Sequence, residues 1–282
     1  MIDLIIPLYN AKKTLDLTLM SIKMQTIVDK LNIYLIDDCS DDDYDEILNN
    51  YKDMNIIYKK LDKNSGPAVA RQEGIQIGTS KYIMFMDADD LFYNTDSIKK
   101  LYETIEEGYD YVAGLTYEEK RQIKLLNESD LHGKIYKRKF IEDNKIRFNK
   151  TRFHEDNYYN NLVLLCEPKR KELLELVYIY VYNEDSITND SKEKEFERLE
   201  IYISNLNELI QEAKRRNIRK ELIVNLIETK INYFNRIWLN FTQEQRKIFK
   251  EWLKKYNLNI EKYINDNKNT NIYEELLKEF GY

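Results

Sequence analysis

Tyr82-Ile83-Met84-Phe85-Met86-Asp87-Ala88-Asp89-Asp90 is the stretch on which the fold of this chain turns. Its first five residues form a short, continuous apolar run, the pattern of a strand buried on both faces by helices. The strand delivers three carboxylates, interrupted by one alanine, to its carboxyl end. Like charges this close repel one another, at a cost in stability unless a cation or a hydrogen-bond network satisfies them. A hard divalent ion bridging a carboxylate to phosphate oxygens resolves that repulsion. Taken alone, the triplet fits a solvated acidic turn capping the next helix equally well.

Working outward, short apolar runs alternate with helical patterns. Strands are expected at 3–7, 32–36, 56–59 and 109–115, and helices at 11–25, 67–77 and 95–107. Pro67 opens one helix at its first position, and Gly78 lies just past its end. The alternation predicts an α/β domain with a mostly parallel central sheet flanked by helices, whose ligands bind at the carboxyl ends of the strands. Three strands end there in polar clusters: Pro7-Leu8-Tyr9-Asn10, Asp37-Asp38-Cys39-Ser40 and residues 87–90. A calcium-loop reading of the run from Asp37 to Asp45 fails, because glycine and glutamate are missing at the positions such a loop needs. The later acids, Asp41 to Glu46, read as charges at a helix N-terminus.

The 282 residues are enough for one large domain with an appendage, and 43% hydrophobic with 33% charged residues describes a globular chain. A net charge of −6 argues against a general nucleic-acid binder. Cys39 and Cys166 have neither metal nor redox spacing and are expected to be reduced thiols, which fits a cytoplasmic protein. The N-terminus reads as an immediate strand rather than a signal peptide, and no apolar segment reaches the length of a membrane span.

Between the polar clusters lies Asn64-Ser65-Gly66-Pro67-Ala68-Val69-Ala70-Arg71, a turn into a helix with Arg71 one turn in, where it can pair with the acids or with a diphosphate. In order and spacing, these four segments resemble the family 2 inverting glycosyltransferases of GT-A fold, over residues 1 to about 115. The resemblance implies a Rossmann-like GT-A domain and a hexosyltransferase activity that uses a nucleotide-diphosphate sugar, UDP being the commonest base, with Mn2+ or Mg2+. It further implies that Pro7, Tyr9, Asp37 and Asp38 hold the nucleoside, that Gly66 and Arg71 line the nucleotide, that Asp87 and Ala88 meet the ribose, and that Asp89 binds the metal. Asp90 is expected near a donor or acceptor sugar.

A second matching block runs through Gly133-Lys134-Ile135-Tyr136-Lys137-Arg138 and Ile146-Arg147-Phe148 to His154-Glu155-Asp156. It is similar to the family's acceptor-side region, which makes Asp156 the general base, Glu155 an orienting acid and His154 a sugar-side residue. An inverting transfer does need one carboxylate to take the acceptor hydroxyl's proton; the plainer reading is that Glu155 and Asp156 favour a helix N-terminus. For His132 a surface position is an equal reading, and neither histidine has metal-ligand spacing. After a strand at 176–182, relatives often place a basic residue before a Gly-Ser-x-Thr-like loop; here no arginine appears, and Ser186, Thr188, Lys192 and Lys194 remain as candidates to meet the diphosphate.

The sequence thus divides into a catalytic domain over 1–190, with a donor half at 1–115 and an acceptor half at 116–190, and a helical region over 191–282. In that region apolar residues recur at helical spacing, Thr242 and Gln245 form a capping box, and 265–271 is Asn-rich. Its stripes are read as core, with a partner interface or homo-oligomer contact as the alternative. Lys-rich faces would allow docking to the inner membrane face, though Glu residues offset them. The acceptor is a hydroxyl on a glycan, a lipid-linked sugar, a protein or a modified nucleic acid. Two other functions fit less well: a nucleotidyltransferase, which would want a Gly-rich basic loop after the first strand, and a sugar-nucleotide-binding scaffold that recruits a partner through its helices.

Overall fold

A computed structural model describes residues 1–126, 130–183, 192–264 and 272–280. The chain divides into two compact units, Met1–Asn189 and Asp190–Tyr282.

The first unit is built on a nine-stranded sheet: β1 (Ile2–Leu8), β2 (Leu31–Asp37), β3 (Ile56–Lys60), β4 (Tyr82–Phe85), β5 (Leu91–Phe92), β6 (Tyr111–Glu118), β7 (Ile123–Leu125), β8 (Lys134–Lys137) and β9 (Arg170–Tyr180). Their spatial order is β3-β2-β1-β4-β8-β6-β9-β5, with β7 paired to β6. The first four are parallel neighbours, as the alternating pattern predicts. Beyond β4 the sheet becomes mixed: β8 is antiparallel to both β4 and β6, and β9 runs parallel to β6. One reversed strand thus joins two runs of strands that point the same way. The residues of β1 and β4 are almost wholly buried, which explains their unbroken apolar runs.

Helices α1 (Leu15–Lys23), α2 (Asp45–Asn49), α3 (Pro67–Ile77), α4 (Ser97–Glu106), α5 (Arg138–Asp143) and α6 (Glu155–Leu165) belong to this unit. Helix α3 lies so close to β1 that a Cβ on Gly74 would sit 2.4 Å from Ile5 Cγ2. Helix α1 starts four residues later than its periodicity suggests. Residues 10–14 are held by the acidic loop instead: Ala11 N donates to Tyr44 Oη, Lys12 N to Asp42 Oδ2 and Asn10 N to Ser40 Oγ. Of the acids assigned to a helix start, Asp45 and Glu46 occupy the first turn of α2, while Asp42 bonds Lys12 N instead. Strand β9 begins six residues before its apolar pattern, because residues 170–175 are largely exposed and carry no alternation.

Far from the carboxyl edge, Asp3 and Arg138 form a buried pair at 2.7 Å, reinforced by Ser80 N and Asn32 Nδ2 on Asp3. Removing one partner of such a pair leaves an uncompensated buried charge. The pair therefore fastens α5 to β1 across the sheet.

The second unit contains α7 (Lys192–Arg215), α8 (Lys220–Trp238), α9 (Gln243–Lys255) and α10 (Ile272–Phe280). Its core is aromatic: Phe234 meets Phe249 edge-on at 5.3 Å, and Phe196 meets Phe241 at 5.2 Å. Lys230, placed in the apolar stripe by its spacing, is indeed buried, with its ammonium 5.6 Å from the Tyr202 ring centre. The capping box is present, Gln245 N donating to Thr242 Oγ1 and Thr242 N to Gln245 Oε1. The Asn-rich stretch 265–271 lies outside the described residues. No described helix is long and apolar enough to cross a membrane.

Candidate active site

Parallel register places the carboxyl ends of β1, β2 and β4 on one edge of the sheet. Asp38 N donates to Leu8 O at 2.8 Å, closing the first two loops onto each other. Asp37 is fully buried, accepting from Ser40 N at 2.8 Å and from Tyr58 Oη at 2.7 Å. Asp38 accepts from Ser65 N at 2.7 Å and from Gly66 N at 2.6 Å. These bonds fix the turn before α3, where Gly66 takes φ +91°, a conformation that only glycine adopts without strain. Pro7 lies half-buried at the end of β1, and Tyr9 is 51% exposed beyond it.

One turn into α3, Arg71 is buried between two acids. Its Nη2 donates to Asp87 Oδ1 and its Nη1 to Glu155 Oε1, each at 2.6 Å. Asp87 follows β4, and Glu155 opens α6, so this arginine joins the turn after β4 to the start of α6. Burial disfavours its charge, but Asp87, Glu155 and Asp156 more than compensate and hold it protonated. Its Nε is buried without a hydrogen-bond partner among the described residues.

The acidic turn at 87–90 is anchored from several elements. Thr18 Oγ1 on α1 lies 3.0 Å from both Ala88 O and Asp90 O. Asp90 is fully buried, accepting from Tyr178 Oη at 2.7 Å and from Val181 N at 2.9 Å. Asp89 accepts from Asn183 Nδ2 at 2.9 Å. Burial, with the neighbouring carboxylates adding to it, raises Asp89 and Asp90 above the ordinary range, Asp90 strongly. Burial acts the same way on Asp87, but Arg71 and His132 overcome it and hold that carboxyl low.

His132 is the residue the sequence left open, and it is not a surface side chain. It is buried, and its Nε2 lies 3.0 Å from Asp87 Oδ2 and 3.9 Å from Asp90 Oδ2. Burial alone would lower its pKa, but the Asp87 charge and hydrogen bond carry it up to about 10. The ring stacks on Tyr178 with centroids 5.0 Å apart and planes 1° apart, and lies 5.7 Å from the Tyr180 ring. Tyr178 and Tyr180 alternate on β9, so they share one face of the strand. Ligand atoms of Asp87, Asp90 and His132 all lie within 4.8 Å of one another. Two carboxylates and an imidazole at that spacing suit a divalent cation, so the residues present fit a metal.

At the start of α6, His154 adopts φ +61°. Glu155 and Asp156 fill the first helical turn, and Asp156 Oδ1 accepts from Asn157 N at 2.7 Å. Burial raises both carboxyls: Glu155 reaches about 7, with Arg71 opposing and Asp156 adding to the rise, while Asn157 N, Arg71 and His154 partly offset the rise at Asp156. Ser186 and Thr188 lie outside the described residues, and Lys192 and Lys194 fall on α7. Cys39 and Cys166 form no disulfide. His132, Tyr178, Asn183 and Thr18 enter the cluster without a motif of their own; the signal in reach was the scarcity of histidine, two in 282 residues.

A central α/β sheet flanked by helices in this arrangement is the GT-A fold. S. aureus TarS, solved in complex with UDP-GlcNAc, superposes with a TM-score of 0.74 over 90% of this chain and 80% of its own, at 17% identity. The mannosyltransferase PcManGT from Pyrobaculum calidifontis, solved with GDP-Man and Mn2+, gives a TM-score of 0.57 over 99% and 86%, at 13% identity. At such identities the likeness carries the fold alone. Among curated sequences, glycosyltransferase GlyA of Streptococcus pneumoniae serotype 4 is 27% identical across 68% of this chain and 32% of its own length. The minor teichoic acid biosynthesis protein GgaA of Bacillus subtilis is 30% identical across 64% and 47%. The chain therefore spans less than half the length of these relatives. The family model described as glycosyl transferase family 2 matches residues 3–159, more than half of the chain. The chain belongs to that family.

Proposed function

We propose that this chain transfers a sugar from a nucleotide-diphosphate sugar, with uridine as the nucleoside, to an acceptor hydroxyl with inversion and with the help of a divalent metal. The observation that carries the reading is Arg71, bonded at 2.6 Å both to Asp87 at the donor-side turn and to Glu155 beside Asp156. One buried side chain thus ties a carboxylate of the acidic turn to the acid pair that opens α6, which supports a single site drawing on both. The UDP-GlcNAc bound to TarS supports a uridine donor.

Asp156 is the general base: it takes the proton of the acceptor hydroxyl as that oxygen bonds to the anomeric carbon and the bond to the diphosphate breaks. Burial raises its affinity for the proton above that of an ordinary aspartate, which favours the transfer. Glu155, fixed by Arg71, sets the start of α6 and hence the placement of Asp156. Pro7 and Tyr9 flank the base, and Asp37 and Asp38 shape the loop that receives it. Asp87 and Ala88 adjoin the ribose, with Asp90 and His154 on the sugar side. The ion would be held by the acidic turn, with Asp89 as a ligand, and when bound it supplies Lewis-acid stabilisation of the departing diphosphate. Residues 1–115 serve the donor and 116–190 the acceptor.

The test is nucleoside diphosphate release from a panel of nucleotide sugars with Mn2+ present. Asp89→Asn and Asp156→Asn should both lower the rate by at least about a hundredfold. Wild-type rates in both variants would remove the assigned roles.

A further inference from the structure

The donor set at the sheet edge contains a nitrogen that the acidic turn itself does not supply. Resting on the function proposed above, we infer that His132 is a protein ligand of the cation together with Asp87 and Asp90, and that it makes the site prefer a first-row transition dication to Mg2+ or Ca2+.

Three observations support this. First, the geometry: His132 Nε2 is 3.0 Å from Asp87 Oδ2 and 3.9 Å from Asp90 Oδ2, and one ligand atom from each residue falls within 4.8 Å of the other two. An ion about 2.1 Å from each donor needs ligand atoms roughly 3–4 Å apart, so only small adjustments are required. Second, all three side chains are held before any ion arrives. Asp87 is fixed by Arg71, Asp90 by Tyr178 Oη and Val181 N, and the imidazole is stacked on Tyr178 and flanked by Tyr180. The backbone on either side of the histidine is held too. Lys134 Nζ, fully buried, donates to the carbonyl and the carboxylate of Asp130 at 2.6 Å each, closing the turn that carries His132. Third, Asp89 accepts from Asn183 Nδ2 through Oδ2 alone, so it can still serve as the ligand named above, and the Asp87–Asp90–His132 group adds to it rather than replacing it.

Ligand chemistry then sets the preference. Mg2+ and Ca2+ take oxygen donors, and Mg2+ tolerates little departure from octahedral oxygen coordination. Imidazole suits transition dications, so exchanging one oxygen for Nε2 shifts the balance toward them. In taking the ion Nε2 gives up the proton it shares with Asp87 Oδ2, because a ligating imidazole must be neutral, and His132 then acts as a specificity-determining ligand within the carboxylate cluster.

The experiment measures binding and spectroscopy rather than turnover. Mn2+ is titrated into the full chain, alone and with UDP, and followed by loss of the free-ion electron paramagnetic resonance signal; pulsed measurements then read 14N coupling. Wild type should show imidazole 14N coupling and bind Mn2+ at least about tenfold more tightly than Mg2+, measured by competition. His132→Ala should lose the coupling and at least about tenfold in Mn2+ affinity, with Mg2+ affinity changed less than about threefold. His132→Asp, which restores an oxygen donor, should bind both ions without the preference and shows that the fold survives; circular dichroism checks each variant. Absence of 14N coupling in wild type, or unchanged Mn2+ affinity in His132→Ala, overturns the inference. UDP and Mn2+ bound without imidazole coupling would remove His132 and leave the proposed function standing. Coupling to Mn2+ without binding of any nucleoside diphosphate would do the reverse.

Discussion

At the residue scale the site is governed by burial acting on carboxylates, and the charges around each one decide which stay ionised. Arg71 bonds Asp87 and Glu155 alike; Asp87, with His132 as a second positive neighbour, is held low, whereas burial and the adjacent Asp156 carry Glu155 to about 7, and Asp156 rises with it. Because the two acceptor-side acids interact, the apparent constants belong to the pair. The base must be ionised to act, so kcat/KM should fall about tenfold per pH unit on an acid limb that lies above the ordinary aspartate range. Asp156→Asn should abolish that limb and lower kcat by about a hundredfold or more while leaving donor binding unchanged; a pH–rate profile of both proteins checks it. The stability effect has the opposite sense. A carboxyl raised by folding contributes stability in acid, and that contribution is lost as pH rises through about 7. Glu155→Gln should therefore flatten the dependence of the urea midpoint on pH between about 4.5 and 7.

At the element scale, what holds the site is the close seating of α3 and α1 against the carboxyl edge. Gly74→Ala would drive a methyl into Ile5 Cγ2, a branch that cannot swing away cheaply. Overpacking costs about 1–3 kcal/mol, against about 1 kcal/mol gained in helix propensity, so a net loss is expected in chemical denaturation. Unchanged or raised stability would show that α3 has room to move off β1. In the helical unit, Thr242→Ala should cost about 1 kcal/mol through the lost capping box, without altering nucleotide binding. This scale also shows what a sequence can carry. The strands β1, β2 and β4 were legible because burial on both faces leaves unbroken apolar runs, and Pro67 and Gly78 marked α3. The short β5 and the exposed start of β9 left no such trace. His132 was ambiguous for a related reason: its neighbours are tyrosines and acids from β9 and β4, contacts that only the folded sheet creates.

At the scale of the whole molecule, the turn after β4 and the start of α6 are joined by one guanidinium, and in the proposed function Asp38, Asp89 and Asp156 serve a single donor and its cation. GlyA and GgaA share this portion within longer chains. The most direct test is thermal-shift titration with UDP, in the presence and absence of Mn2+, on wild type, Asp89→Asn and Asp156→Asn, since a ligand that binds only the native state raises the melting temperature. UDP with Mn2+ should raise Tm of wild type and of Asp156→Asn alike, and Asp89→Asn should lose most of the shift. No shift in wild type with any nucleoside diphosphate, or an equal loss in both variants, would contradict a donor site organised around the acidic turn and separate from the catalytic base.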